Sequence, residues 1–138
     1  MSSDRTMAFS ADDMASLRSM REQWRTNLFG SVMPFWMRHS IDTEHGGFFT
    51  CLDNDGSVYD ETKYTWLQGR QVFMLSRLFN EVRPGTALGD AYDGDLAADR
   101  AAWFAAASAG AAFMEHAKDV RRDLIFFSTS RDLSLIHI

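Results

Sequence analysis

The chain has 138 residues, 46% of them hydrophobic and 13% aromatic, and 14 Lys+Arg against 19 Asp+Glu give a formal net charge of −5. That composition excludes a disordered chain, and its length suits one sizeable core rather than two independent domains. An acidic balance with no basic stripe argues against nucleic acid or an anionic membrane as partner, and a single cysteine, Cys51, excludes an internal disulfide framework and a cysteine-based zinc cage.

Residues 1–9 read as a flexible N-terminus. They lack the apolar core of a secretory signal, so a cytoplasmic setting is expected. The first helix starts at Ser10, which reads as an N-cap with Asp13 three residues on as its capping-box partner. Met14, Leu17, Met20, Trp24 and Leu28 follow at helical spacing, and Pro34 should kink or restart the helix before Phe35–Trp36–Met37. Asp42–Asp60 has a different pattern. Gly46–Gly47 opens a short β-like run (FFTCL), Asp53–Asn54–Asp55–Gly56 is a turn, and Ser57–Val58–Tyr59 is the return strand of a hairpin.

The second helix is expected over Lys63–Asn80, with apolar residues on nearly every face and therefore neighbours all round. Pro84–Gly85 ends it, and residues 85–94 read as a loop. The third helix, Asp95–Lys118, is Ala-rich and takes its bulk from Trp103, Phe104, Phe113 and Met114. Its uncharged stretch, Ala101–Met114, is too short to span a bilayer and suits a buried helix. Leu124–Ser128 is a further strand. Arg131–Ile138 is apolar and strand-like with no partner left in the chain, so residues 132–138 are an atypical tail and a foreign or corrupted sequence is suspected; the alternative is an edge strand pairing with a hairpin.

Arg70 is the residue that most invites a chemical explanation. Its helical neighbours Trp66, Leu67, Phe73 and Met74 are apolar, so a buried guanidinium there needs either another segment's carboxylate, such as Asp42 or Glu44, or a bound ligand. Gly69 beside it permits close approach to the backbone. Tyr64, Trp66, Phe48 and Phe49 are core residues or a stacking floor for a sugar or other flat ligand. His39, His45 and His116 are candidates for acid–base work, although a histidine on the His45 turn is ordinarily just solvated. His39, His45 and Cys51 have no metal-ligand spacing, and no metal is expected. Asp53, Asp55, Asp60 and Glu61 cluster, but turn chemistry accounts for the first two.

The segment Val32–Phe79 resembles the N-acylglucosamine 2-epimerase family. The residues that carry the resemblance are Trp36, His39, Ser40, Asp42, His45, Gly46, Gly47 and Phe48, then Cys51, Leu52, Asp53, Asp55 and Gly56, then Lys63, Trp66, Gln68 and Arg70. The likeness extends roughly over Ser10–Arg131. It implies an all-α fold, with residues 10–131 forming the N-terminal part of an (α/α)6 barrel with short β-hairpins. It also implies a parent isomerase acting on N-acetylglucosamine and N-acetylmannosamine or a related aldose–ketose pair. In that chemistry the proton at C2 is abstracted to give an enediolate, which Arg70 would stabilise.

The substrate-binding set implied is Arg70, Trp66, Tyr64, Gln68 and Phe127. The base histidines of the family lie beyond residue 138, so this chain alone is expected to be inactive. Phe126–Phe127 stands where the family has Tyr–Phe, and Leu133 stands where it has Gly. The resemblance implies no cofactor for the chemistry, allows ATP as an activator, and implies a sugar as partner and a homodimer for the full-length parent. Two rival functions are a small helical interaction or self-association module and another sugar-active (α/α)6 enzyme, such as a glycoside hydrolase.

Overall fold

The computed structural model describes residues 9–119, 124–134 and 136–137. The expected flexible terminus falls mostly on residues 1–8, outside the described residues. The chain divides into two compact units, Met1–Met37 and Arg38–Ile138.

In the first unit, helix α1 (Ala11–Asn27) begins as the sequence predicts. The Asp13 N–H donates to Ser10 Oγ at 3.1 Å, and the Ser10 N–H donates to Asp13 Oδ2 at 2.9 Å. This closes the capping box and satisfies two donors that a helix start leaves open. No residue of α1 is buried, and Met14, Leu17, Met20 and Trp24 are exposed. Leu28–Val32 forms a π-turn in which the Met33 N–H reaches back to Leu28 O. Helix α2 (Met33–His39) follows at once. The restart expected at Pro34 therefore takes the form of a widened turn, which shifts the hydrogen-bond ladder just where Pro34 has no N–H to give.

The second unit opens with the loop 40–49, closed by an isolated antiparallel bridge between Ile41 and Phe48. Strands β1 (Cys51–Leu52) and β2 (Val58–Asp60) form the predicted hairpin around Asp53–Gly56. Gly56 sits at φ +88°, and a Cβ there would fall 2.2 Å from His39 Nδ1. Strand β3 (Lys63–Tyr64) leads directly into α3 (Thr65–Glu81), so the predicted helix loses its first two residues to a sheet. The expected loop 85–94 contains a one-turn helix, α4 (Ala87–Asp90), capped by Thr86, whose Oγ1 accepts from the Gly89 N–H at 3.1 Å. Helix α5 (Leu96–His116) starts from Asp95, whose side chain accepts from the Ala98 N–H at 3.1 Å.

Short strands follow: β4 (Lys118–Asp119), β5 (Leu124–Ile125), β6 (Ser128–Thr129) and β7 (Ile136–His137). The sheets are β1-β2, β4-β5 and β3-β6-β7, all antiparallel. The tail thus has a partner, since Ile136–His137 pairs with Ser128–Thr129. Ahead of it, Leu133 is the one described non-glycine residue at positive φ, +63°.

The core lies between α3 and α5. Leu75 and Leu78 from α3, Trp103, Ala106, Ala107 and Phe113 from α5, and Phe48 from the loop are all buried. Gly110 lets Phe48 in, because a Cβ there would stand 2.4 Å from its ring. Arg100 of α5 donates to the carbonyls of Phe79 and Val82, the latter at 2.7 Å, and so satisfies the C-terminal end of α3. The expectation that α3 is enclosed on every face is corrected. Trp66, Phe73 and Met74 are exposed, because among the described residues of this unit only α5 packs along the helix to a large extent.

Candidate functional site

The start of α3 faces the segment between β5 and β6 across an apolar cleft of about 480 Å3. Thr65, Trp66 and Gly69 form one wall, Met114 of α5 the second, and Ile125, Phe126 and Phe127 the third. The close approach that Gly69 permits is that of Met114, whose Cε lies 3.4 Å from the position of an added Cβ. Two short pairings hold the walls at a fixed spacing. Lys63 and Tyr64 pair with Thr129 and Ser128, and the Thr65 N–H donates to Phe127 O at 3.0 Å. That carbonyl also serves the open N-terminal end of α3, which has no side-chain cap.

Four of the predicted site residues gather at this cleft. Trp66 and Phe127 line it, more than half exposed (56% and 60%). Tyr64 packs edge-on against Phe127, with ring centroids 5.9 Å apart. The Arg70 guanidinium lies over the Trp66 ring, 5.6 Å from its centroid. The expectation of a buried Arg70 is corrected: the side chain is on an exposed part of α3, and no described carboxylate pairs with it. The residue is open to solvent, so the guanidinium needs no internal counter-charge.

Gln68 is placed behind the cleft rather than on it. It is fully buried, Phe48 N–H donates to its Oε1 at 2.8 Å, and its Nε2 donates to Phe48 O at 2.8 Å. The side chain therefore acts as a one-residue strand that pairs with the loop. Among the described residues, no histidine lines the cleft. His39 packs on the hairpin turn, His116 Nδ1 lies 2.9 Å from Ala112 O, and His45 lines a separate polar groove with Asp60, Glu61 and Arg131.

The buried cation of this region is Lys63, which the sequence marks only as a residue of the family pattern. Lys63 and Asp42 form an ion pair at 2.8 Å with neither side chain accessible to solvent. Lys63 Nζ also donates to Gly46 O at 2.5 Å and sits over the Phe113 ring at 4.6 Å. Arg131 donates to the same carboxylate, through Nε to Oδ2 at 3.0 Å and through Nη2 to Oδ1 at 3.3 Å, and bridges to Glu44 at 2.7 Å. The Glu44 and His45 N–H groups complete the Asp42 shell at 3.0 and 3.1 Å.

Burial by itself would raise the Asp42 pKa. The hydrogen bonds from Arg131, from Lys63 and from the two backbone N–H groups outweigh it and hold the carboxyl well below the usual range. Burial lowers the Lys63 pKa against the pull of Asp42. The sequence did propose Asp42 and Glu44 as partners for a core cation; the cations are Lys63 and Arg131. The signal for Lys63 was its position immediately before an apolar helix, where a solvated lysine has no need to stand.

No family model matches the chain. Among curated proteins it is 54% identical to the N-acylglucosamine 2-epimerase of Rattus norvegicus over 69 residues, covering 48% of this chain and 16% of that protein. It is 69% identical to the N-acylglucosamine 2-epimerase of Mus musculus over 48 residues, 35% of this chain and 12% of that one. The N-acylglucosamine 2-epimerase of Homo sapiens is 51% identical over 70 residues, 49% of this chain and 16% of that one. The chain thus matches no more than about a sixth of the length of these relatives. Among solved structures, the cellobiose 2-epimerase of Spirochaeta thermophila DSM 6192 superposes with a TM-score of 0.70 at 22% identity, over 93% of this chain and 28% of that one. The fold, helical with short sheets, is that of part of this epimerase, and the resemblance read from Val32–Phe79 to the N-acylglucosamine 2-epimerases is borne out.

Proposed function

We propose that the chain is the N-terminal part of a sugar 2-epimerase or aldose–ketose isomerase built as an (α/α)6 ring, and that the Trp66–Phe127 cleft is one wall of its sugar site. The observation that carries the proposal is Arg70: a guanidinium resting on an exposed tryptophan at the cleft, with no described carboxylate to neutralise it. Trp66 offers its face to the apolar side of a pyranose or an open-chain sugar, and Arg70 offers donors to the sugar oxygens. The proton at C2 leaves to a base, the electron pair of the broken C–H bond becomes the C1=C2 bond while the carbonyl π pair moves onto its oxygen, giving an enediolate (the corresponding enolate where C2 carries an N-acetyl group), and a proton returns to C2 from the other face. Arg70 lowers the barrier by standing where that negative charge grows. Tyr64 supports Phe127, and Gln68 supports the loop behind the site.

The base lies outside these 138 residues, so the fragment alone binds without turning over. The exposed Phe73 and Phe104, which do not line the cleft, face further helical hairpins of the ring in the parent. The parent works in the cytoplasm on N-acetylglucosamine and N-acetylmannosamine or a related pair. It needs no cofactor for the chemistry, takes ATP at most as an activator, and pairs as a homodimer. No helix among the described residues is long and apolar enough to cross a membrane.

The test is a chimera in which the matching segment of this chain replaces its counterpart in the rat N-acylglucosamine 2-epimerase. It should interconvert the two N-acetylhexosamines. Arg70→Ala in that chimera should lower kcat by about 100-fold, the scale of one lost charge-stabilising donor, without lowering the melting temperature. Unchanged turnover refutes the role of Arg70.

A further inference from the structure

We infer that Asp42 is a positioning residue for the cleft, a single carboxylate that fixes the distance between its two walls. This rests on the sugar-site proposal for what the cleft binds, but not for how the cleft is held.

The walls meet through β3 and β6, which pair over only two residues each. A ladder that short is marginal on its own. Both strands are instead tied to a third body. Lys63 belongs to β3 and Arg131 follows β6 by two residues, and both close on Asp42 Oδ2, at 2.8 and 3.0 Å. Asp42 is itself anchored, because the Glu44 and His45 N–H groups hold its other oxygen and the loop behind it is fastened to α3 through Gln68. The two cations would repel one another without the carboxylate between them. The strand ends therefore stay together because of Asp42. Trp66 lies three residues after Lys63 and Phe127 four before Arg131, so the cross-link acts close to both walls.

None of Asp42, Lys63 and Arg131 lines the cleft, so the effect on a ligand passes through Trp66 and Phe127. None of the three lies on α3 or α5, and only Lys63 reaches their core, at the Phe113 ring. Loss of the carboxylate should therefore loosen the cleft before it loosens the core.

The experiment uses the full 138-residue chain, with amide hydrogen exchange and titration by N-acetylmannosamine followed at the Trp66 indole N–H. Asp42→Asn is the principal variant. Arg131→Gln is the milder one, removing one arm at a partly exposed side chain, and serves if Asp42→Asn does not fold. Tyr92→Phe is the control, since it loses the 2.6 Å bond to Asp99 at the far end of α5. The expected result is at least tenfold faster exchange at Thr65 and in residues 126–129 in the clamp variants, with exchange in α3 and α5 changed less than threefold. Sugar affinity should fall about tenfold in those variants and stay unchanged in Tyr92→Phe.

Exchange that rises evenly through the core, or stays at the wild-type value at Thr65, overturns the positioning role. The same holds if Tyr92→Phe weakens sugar binding as much as the clamp variants. A wild-type chain that gives no indole response to the sugar, with local loosening still seen, refutes the sugar reading of the cleft and leaves the clamp standing.

Discussion

Replacing Gln68 with leucine tests the claim that this buried amide is a structural strand. The perturbation removes both partners of the Phe48 backbone: the acceptor for its N–H and the donor for its carbonyl, each at 2.8 Å. Phe48 is 1% exposed, so water does not replace them. Each stranded group costs about 1–3 kcal/mol, or about 2–6 kcal/mol for the pair. The leucine recovers about 1–2 kcal/mol as buried apolar surface. The expected net loss is about 2–4 kcal/mol, and at about 3 °C per kcal/mol for a chain of this size the melting temperature should fall by about 6–12 °C. Urea denaturation at pH 7 measures the first figure and thermal unfolding the second. Gln68→Glu sharpens the test. A protonated carboxyl can both accept from Phe48 N–H and donate to Phe48 O, whereas the ionised form sets oxygen against oxygen. Burial raises the pKa of such a group, so this variant should lose stability relative to wild type as pH rises above about 4, the unfolded value. A Gln68→Leu loss below about 1 kcal/mol, or a pH profile for Gln68→Glu parallel to wild type, refutes the reasoning.

Asp42, whose folded pKa is depressed, contributes stability above its unfolded value of about 4 that is lost as pH falls below it. The urea midpoint of the wild type should therefore drop on that side, and Asp42→Asn should flatten the drop. Leu133→Gly relieves a left-handed backbone at φ +63° and should stabilise the chain by about 0.5–1 kcal/mol, read by the same titration; a loss of stability would show that Leu133 is held there by packing. Arg100→Ala strips two donors from the C-terminal carbonyls of α3 and should cost about 1–3 kcal/mol, with faster amide exchange in residues 79–82.

Capping chemistry and turn chemistry were legible in the sequence because they act over three or four residues. The Ser10–Asp13 box and the Asp53–Gly56 hairpin form where local spacing puts them. Pro34 was legible as an interruption, but its form as a π-turn was not, since several rearrangements relieve a missing donor. The gathering of Trp66, Tyr64, Phe127 and Arg70 at one cleft was legible only through the family resemblance, because Phe127 lies more than sixty residues from Tyr64 and nothing local announces their pairing. The burial of Arg70 was misjudged for a physical reason. Apolar neighbours at i±3 and i±4 enclose a side chain only if another element covers that face, and within this unit none does. Lys63 and Gln68 carry the family resemblance, but their burial was not legible for the converse reason. Their polarity suggests solvent, while their partners, Asp42 and Phe48, are about twenty residues away. A lysine and a glutamine beside a glycine-rich loop are a pattern that long-range pairing can explain and local propensity cannot.

The π-turn at Leu28–Val32 also acts as a dial. Such a turn is an α-helix carrying one surplus residue, and each residue of an α-helix advances about 100° around the axis. Excising a single position from this stretch would swing the stripe of Met14, Leu17 and Trp24 by about that angle relative to Phe35 and Trp36 while leaving both helices intact. The azimuth of the first helix is thus written in a count of residues, so small insertions and deletions here would reorient a whole surface where point substitutions would not.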